Sequence, residues 1–155
     1  MIKSGKLSRV IAVVLMTASF ISACAPGNTQ LPATKLTDSE VQSFADPVAE
    51  NILQAMNTSN YVQYTRDFDD QFKENFPEIR FQAFNSYRTD VVGSYISKEF
   101  RQFTPKDQKT SVAYEVKFSE EPSTATVTVY FKNISGKYLV DGLFFDSPLI
   151  RAHRC

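Results

Sequence analysis

Tryptophan is absent from this chain of 155 residues, histidine occurs once and cysteine twice. A single histidine, His153, excludes a multi-histidine metal site within one chain. With only Cys24 and Cys155 there is no internal disulfide framework and no Cys-x-x-Cys pair, so a fold must rest on packing. The five glycines form no phosphate-binding loop, no calcium loop is present, and Ser147 lacks a Gly-x-Ser-x-Gly setting. No cofactor is therefore implied. Lys and Arg total 17 against 17 Asp and Glu, and they are never gathered into a basic block, which removes the electrostatic footprint of nucleic-acid binding. Long apolar runs are missing too. The longest, residues 10–21, would span about 18 Å as a helix against a hydrocarbon core of roughly 30 Å.

That run is short for a membrane span but suits the apolar centre of an export signal. Lys3, Lys6 and Arg9 precede it, and small residues close it. The closing Ile21-Ser22-Ala23-Cys24 resembles the lipobox of prokaryotic lipoproteins. The resemblance implies that Cys24 carries a thioether-linked diacylglyceryl group and becomes the N-terminus after cleavage, so the expected location is extracytoplasmic and lipid-anchored to the cell membrane, or to the outer membrane where the source has one. An ordinary signal peptide cut after Ala25 is the competing reading.

Without residues 1–23, 132 of the 155 residues remain, enough for one domain. Three of the 17 basic residues and none of the acidic ones lie in that leader, so the remainder is net acidic by three. Residues 24–36, with two prolines and a glycine, read as a tether behind lipidated Cys24; residues 37–155 read as a single domain. Twelve of the thirteen Phe and all seven Tyr fall beyond the leader, ample material for an aromatic core.

Thr37-Asp38-Ser39-Glu40 is a capping box, and Val41, Phe44, Val48, Ile52, Ala55 and Met56 follow at helical spacing. A helix is expected over residues 38–56, kinked near residues 43–46 by Pro47 or restarting with Asp46 as cap. Phe68, Phe72 and Phe76 mark a second helix. Phe81, Phe84, Tyr87 and Val91 mark a third, with Gly93 placed for a left-handed C-cap. From Gly93 the period becomes alternating: a weak strand over residues 94–103, a clear one over 112–118, another over 125–132, and a last over 138–145 with Gly142 at a bulge. Three N-terminal helices packed on one face of a curved antiparallel sheet make an α+β fold.

This order of elements resembles the cone-shaped fold of the nuclear-transport-factor-2-like and ketosteroid-isomerase-like superfamily, and within it an uncharacterised family of prokaryotic secreted domains. The pieces that carry the likeness are Phe68-Asp69-Asp70-Gln71-Phe72, Gly93-Ser94-Tyr95, Tyr114-Glu115-Val116-Lys117-Phe118 and the stretch from Tyr138 to Phe145. The resemblance implies a sheet and helices enclosing a pocket. It brings no activity, because these pieces determine a fold and folds of this kind host many functions.

Asp67, Asp69 and Asp70 form the densest carboxylate cluster. One of them would serve as a general base in such a pocket; alternatively Asp67 caps the second helix and its neighbours complement the helix dipole. Tyr61, Tyr64, Tyr87, Tyr95, Tyr114 and Tyr138 are core or pocket residues, Tyr95 and Tyr114 being the pocket candidates beside the three aspartates. His153 and Cys155 sit at the extreme C-terminus, where a nucleophilic pair is poorly preorganised. The leading expectation is a lipid-anchored extracytoplasmic domain that binds a protein partner or a small apolar ligand without catalysis. The alternative is an isomerase- or dehydratase-like enzyme with an Asp base, and a third option is a homodimer joined through the sheet face.

Overall fold

The computed structural model describes residues 36–153. Cys24, Cys155 and the leader lie outside them. The first helix, α1 (Asp38–Asn57), begins at the capping box: the Thr37 hydroxyl accepts from the Glu40 amide at 3.3 Å, and Glu40 accepts from the Thr37 amide at 2.8 Å. Those bonds from Thr37 hold the Glu40 carboxyl below its usual range. The helix runs unbroken through Pro47, so no restart occurs at Asp46. Its buried stripe includes Val41, Ala45, Ala49, Ile52, Leu53 and Met56, and the two alanines let the backbone approach the sheet closely.

Where three helices were expected, four precede the sheet and a fifth follows it among the described residues. A single turn, α2 (Tyr61–Tyr64), comes first, capped by Asn60 accepting from Gln63. Then come α3 (Asp70–Asn75) and α4 (Glu78–Val92). The last helix, α5 (Pro148–His153), is pinned by buried Glu121, which accepts from the Ser147 hydroxyl and the Leu149 amide.

The four strands β1 (Tyr95–Lys106), β2 (Lys109–Phe118), β3 (Ala125–Ile134) and β4 (Lys137–Asp146) pair as an antiparallel meander in the order β1-β2-β3-β4. Alternation puts Val112, Tyr114, Val116 and Phe118 of β2 on the helix-covered face with Ala125, Val127, Val129 and Phe131 of β3. Register shifts near Ile96 and Arg101 in β1, and at Asp141 in β4, mark bulges of the kind that curve a sheet. Gly142 flanks the β4 bulge opposite Tyr130, whose ring lies 3.3 Å from where a Cβ would stand. β1 is longer than its sequence suggests because pairing with β2, not its own apolar content, sustains it.

The buried row of α4 departs most from expectation. It is Phe81, Asn85, Arg88 and Val92, while Tyr87 is partly exposed. The Arg88 guanidinium is fully buried and forms no ion pair among the described residues. It donates instead to the carbonyl of Gly93 at 2.6 Å, the Asn85 side-chain oxygen at 3.0 Å, the Thr89 hydroxyl at 2.8 Å and the Met56 carbonyl at 3.4 Å, and it faces the Phe118 ring at 5.5 Å. Burial pulls its pKa down to about 10, with Tyr64 opposing, so it remains charged at neutral pH. Asn85 also donates to the Met56 carbonyl at 2.8 Å, and the Asn57 side chain pairs with both backbone groups of Tyr95, at 2.8 and 2.9 Å. The end of α1, the end of α4 and the start of β1 thus meet at one polar knot.

Gly93 closes that knot with φ +76° and ψ −154°, a region nearly restricted to glycine, and a Cβ there would stand 2.1 Å from the Ser119 hydroxyl oxygen. Gly93→Ala is expected to lower stability by roughly 2–4 kcal/mol, read as a drop in the urea midpoint; an unchanged midpoint would contradict the strain. Arg88→Met keeps the stem but strips donors from the Gly93 carbonyl and Asn85, for an expected loss of about 2–3 kcal/mol in the same measurement. Arg88→Lys should recover only part of it, because one ammonium cannot reach four acceptors in the guanidinium's fork geometry.

Candidate functional site

Between the helices and the β3–β4 half of the sheet lies a partly open cavity of about 280 Å³. Each wall follows from a local rule. Ile52 and Met56 are one turn apart on α1, and Phe72 and Phe76 bear the same relation across α3 and its C-cap. Phe84 comes from α4; Val127, Leu143 and Phe145 rise from the inner face of β3 and β4. Contacts between rings stiffen the wall: Phe84 meets Phe145 edge-on at 5.9 Å, and Phe72 contacts Phe68 at 4.8 Å.

Among the described residues that line it, Tyr64 alone has a polar side-chain group other than the Met56 thioether. It is 4% exposed and packs on Phe81 at 4.5 Å and Phe68 at 5.1 Å. Burial raises its hydroxyl well above the usual tyrosine range, and the nearby Arg88 charge pulls it partway back.

The carboxylates singled out in the sequence lie elsewhere. Asp69 is the N-cap of α3, accepting from the Phe72 amide at 2.6 Å; that role belongs to Asp69 and not to Asp67, because the helix begins only at Asp70. Asp67 is bonded to Arg66 at 2.9 Å and lies 3.5 Å from the Asn51 amide nitrogen. The Asp67 carbonyl and the Asp69 amide clasp Val140 of β4, both at 2.8 Å, and Asp70 is exposed in the first turn of α3. None of the three lines the cavity. Asp69 acts on it indirectly, by starting the helix that carries Phe72 and Phe76.

Tyr95 and Tyr114 lie beneath the middle of α1, outside the cavity lining. The Tyr95 hydroxyl donates to Glu50 at 2.7 Å and the Tyr114 hydroxyl to Asp46 at 2.9 Å. Burial first, then the carboxylate bond, raises both hydroxyls above the usual range. Lys98 stands 4.9 Å over the Tyr114 ring and 3.7 Å from Asp46. These groups form a polar seam fastening α1 to β1 and β2. The apolar residues of the cavity had read only as core from their spacing, since periodicity reports burial and says nothing of a gap between buried faces.

Among the described residues, no group of three or more His, Cys, Asp or Glu is placed to hold a metal ion, and no helix is long and apolar enough to cross a membrane. His153 is exposed at the end of α5. On the sheet face away from the described helices, Tyr130, Ile134 and Phe144 are exposed at 39%, 43% and 55%, enough to give that face an apolar character.

Among solved structures, the chain is similar to an NTF2-like protein of unknown function from Shewanella baltica, at 10% identity over 73% of this chain and 98% of that one, with a TM-score of 0.48. It is also similar to a domain of unknown function with a cystatin-like fold from Nostoc punctiforme, at 12% identity over 76% of this chain and 83% of that one, TM-score 0.48. A DUF4783 family protein from Bacteroides ovatus aligns at 12% identity over 63% of this chain and 92% of that one, TM-score 0.41. No curated protein matches. The family described as a protein of unknown function, DUF3887, matches residues 49–134, more than half of the chain, and the chain belongs to that family.

Proposed function

We propose that this protein is a lipid-anchored extracytoplasmic domain whose cavity binds a small apolar molecule. The observation that carries the binding half is the cavity itself, about 280 Å³ and walled by phenylalanine, leucine, isoleucine, methionine and valine. Its size sits at the lower edge of the roughly 300–1,000 Å³ of small-molecule sites, and an apolar chamber of about 150 Å³ already takes up benzene. Among the described residues no carboxylate, histidine or lysine lines it, which supports binding over acid–base chemistry. The anchoring half rests on the basic start, the short apolar run and Ile21-Ser22-Ala23-Cys24. A protein partner is the second reading, favoured by Tyr130, Ile134 and Phe144 on the sheet face away from the described helices.

Two measurements test the two halves. Replacing Cys24 by alanine should move the protein from the membrane fraction to the soluble extracytoplasmic fraction; a variant held as firmly as the wild type would remove the anchor. For the cavity, equilibrium dialysis with 2-ethylnaphthalene should give a Kd on the order of tens of micromolar. Leu143→Trp, which fills the chamber, should weaken binding by about tenfold or more. Binding that ignores the filled chamber would place the ligand elsewhere, and no binding would end this reading.

A further inference from the structure

Lysines that lie scattered along the chain are gathered by strand register. Lys106, Lys109 and Lys132 stand directly opposite one another on β1, β2 and β3, and Lys137 starts β4 opposite Ile134. Each alternates with an inward neighbour: Thr110 and Phe131 are buried, and Tyr138 stacks on Phe44 of α1. All four lysines therefore share the sheet face away from the described helices. Lys106, Lys109 and Lys137 are exposed and Lys132 is half-buried. Among the described residues only Lys109 of the four is in an ion pair, with Asp141. Asp107 in the β1–β2 turn and, at longer range from Lys109, Asp69 are further acids near the row, whereas Asp38 and Glu40 belong to α1 over the opposite face. Like charges directly opposite across strands repel, and an anionic partner would relieve that repulsion.

We infer that the hairpin end of the sheet rests on the anionic phospholipid headgroups of the membrane that holds the protein, through the row Lys106, Lys109, Lys132 and Lys137. The inference rests on the anchoring half of the proposed function and adds which surface meets the lipid. The point where the chain enters the domain selects this end. Phe44, in the first half of α1, stacks at 3.8 Å on Tyr138 near the start of β4, while Asn57 at the end of α1 is bonded to Tyr95, the first residue of β1. Leu36, just before α1, thus lies toward the two hairpins. At no more than about 3.6 Å per residue, the chain keeps Leu36 within roughly 43 Å of Cys24. The other end of the sheet is a strand length farther off, about 33 Å for ten residues. Ile134 and Tyr130, 43% and 39% exposed, share the face with the lysines, a mixture of apolar and basic groups that suits a headgroup layer. Each lysine close to an anionic surface strengthens attachment on the order of fivefold.

The test adds the mature lipidated protein to vesicles of phosphatidylcholine alone or with about 30% phosphatidylglycerol, applies a water-soluble amine-acetylating reagent and reads each lysine by mass spectrometry. Lys106, Lys132 and Lys137 should react roughly three- to tenfold more slowly on the anionic vesicles, and that protection should vanish near about 1 M salt. Lys73 on α3 and Lys117 at the far end of β2 should react alike on both. The triple variant Lys106→Gln, Lys132→Gln, Lys137→Gln should melt no lower than the wild type, and its Lys109 should react equally on the two vesicles. Equal labelling of the row on both would overturn the inference, while flotation with both would leave the anchor intact. Protection shared by Lys73 and Lys117 would overturn it as a pull on the whole domain. So would protection without vesicles, whether conferred by inorganic phosphate or growing with protein concentration, since the partner would then be a free anion or a second copy. A marked fall in the melting temperature of the triple variant would also overturn it, by giving the row an internal role. Protein that floats with neither vesicle would remove the inference together with the anchor reading beneath it.

Discussion

A guanidinium buried without a carboxylate must find its acceptors among backbone and neutral side-chain oxygens, and those oxygens must be brought to it from several elements at once. Arg88 imposes that condition here. Its acceptors are the Met56 carbonyl at the end of α1, the Gly93 carbonyl just beyond α4, and Asn85 and Thr89 on its own helix. Carbonyls near helix C-termini carry partial negative charge that suits a cation. The arrangement therefore sets where α1 stops, how α4 lies beside it and where the chain enters β1, with Gly93 turning through a conformation that leaves no room for a side chain.

The cavity depends on the same knot. Met56 offers its carbonyl to Arg88 and its side chain to the cavity wall, and Phe84 stands on α4 one residue before Asn85. At the other side, the Asp67–Asp69 segment clasps Val140 while Asp69 starts α3, so that Phe72 and Phe76 face the sheet. The Tyr95–Glu50 and Tyr114–Asp46 bonds hold the middle of α1 down on β1 and β2. One half of the sheet face is thereby closed by polar bonds and the other left lined with rings.

Much of the fold is legible from local rules. The capping box at Thr37 and Glu40, the alternation from Val112 to Phe118 and the bulge beside Gly142 all depend on neighbours within a few residues, and each lies where such rules put it. Helix count was less legible because α2 is a single turn between stronger signals and α5 is sustained by Glu121, which is 28 residues away from the amide it caps. Arg88 gave no warning either. An arginine among polar neighbours on a helix ordinarily reads as solvated, and its burial follows only from carbonyls supplied by other elements.

By itself the sequence determined the α+β class, the order of helices before strands and the apolar surface that had to be buried, since those depend on period and composition. It also carries the lipobox-like Ile21-Ser22-Ala23-Cys24, a pattern written in adjacent residues. Only the tertiary structure decided which tyrosines are tied to carboxylates. Tyr64, Tyr95 and Tyr114 look alike as letters. Two of them lie within reach of α1 carboxylates, and the third is among the residues that line the cavity, because hydrogen-bond partners are settled by distances across the fold and not by spacing along the chain.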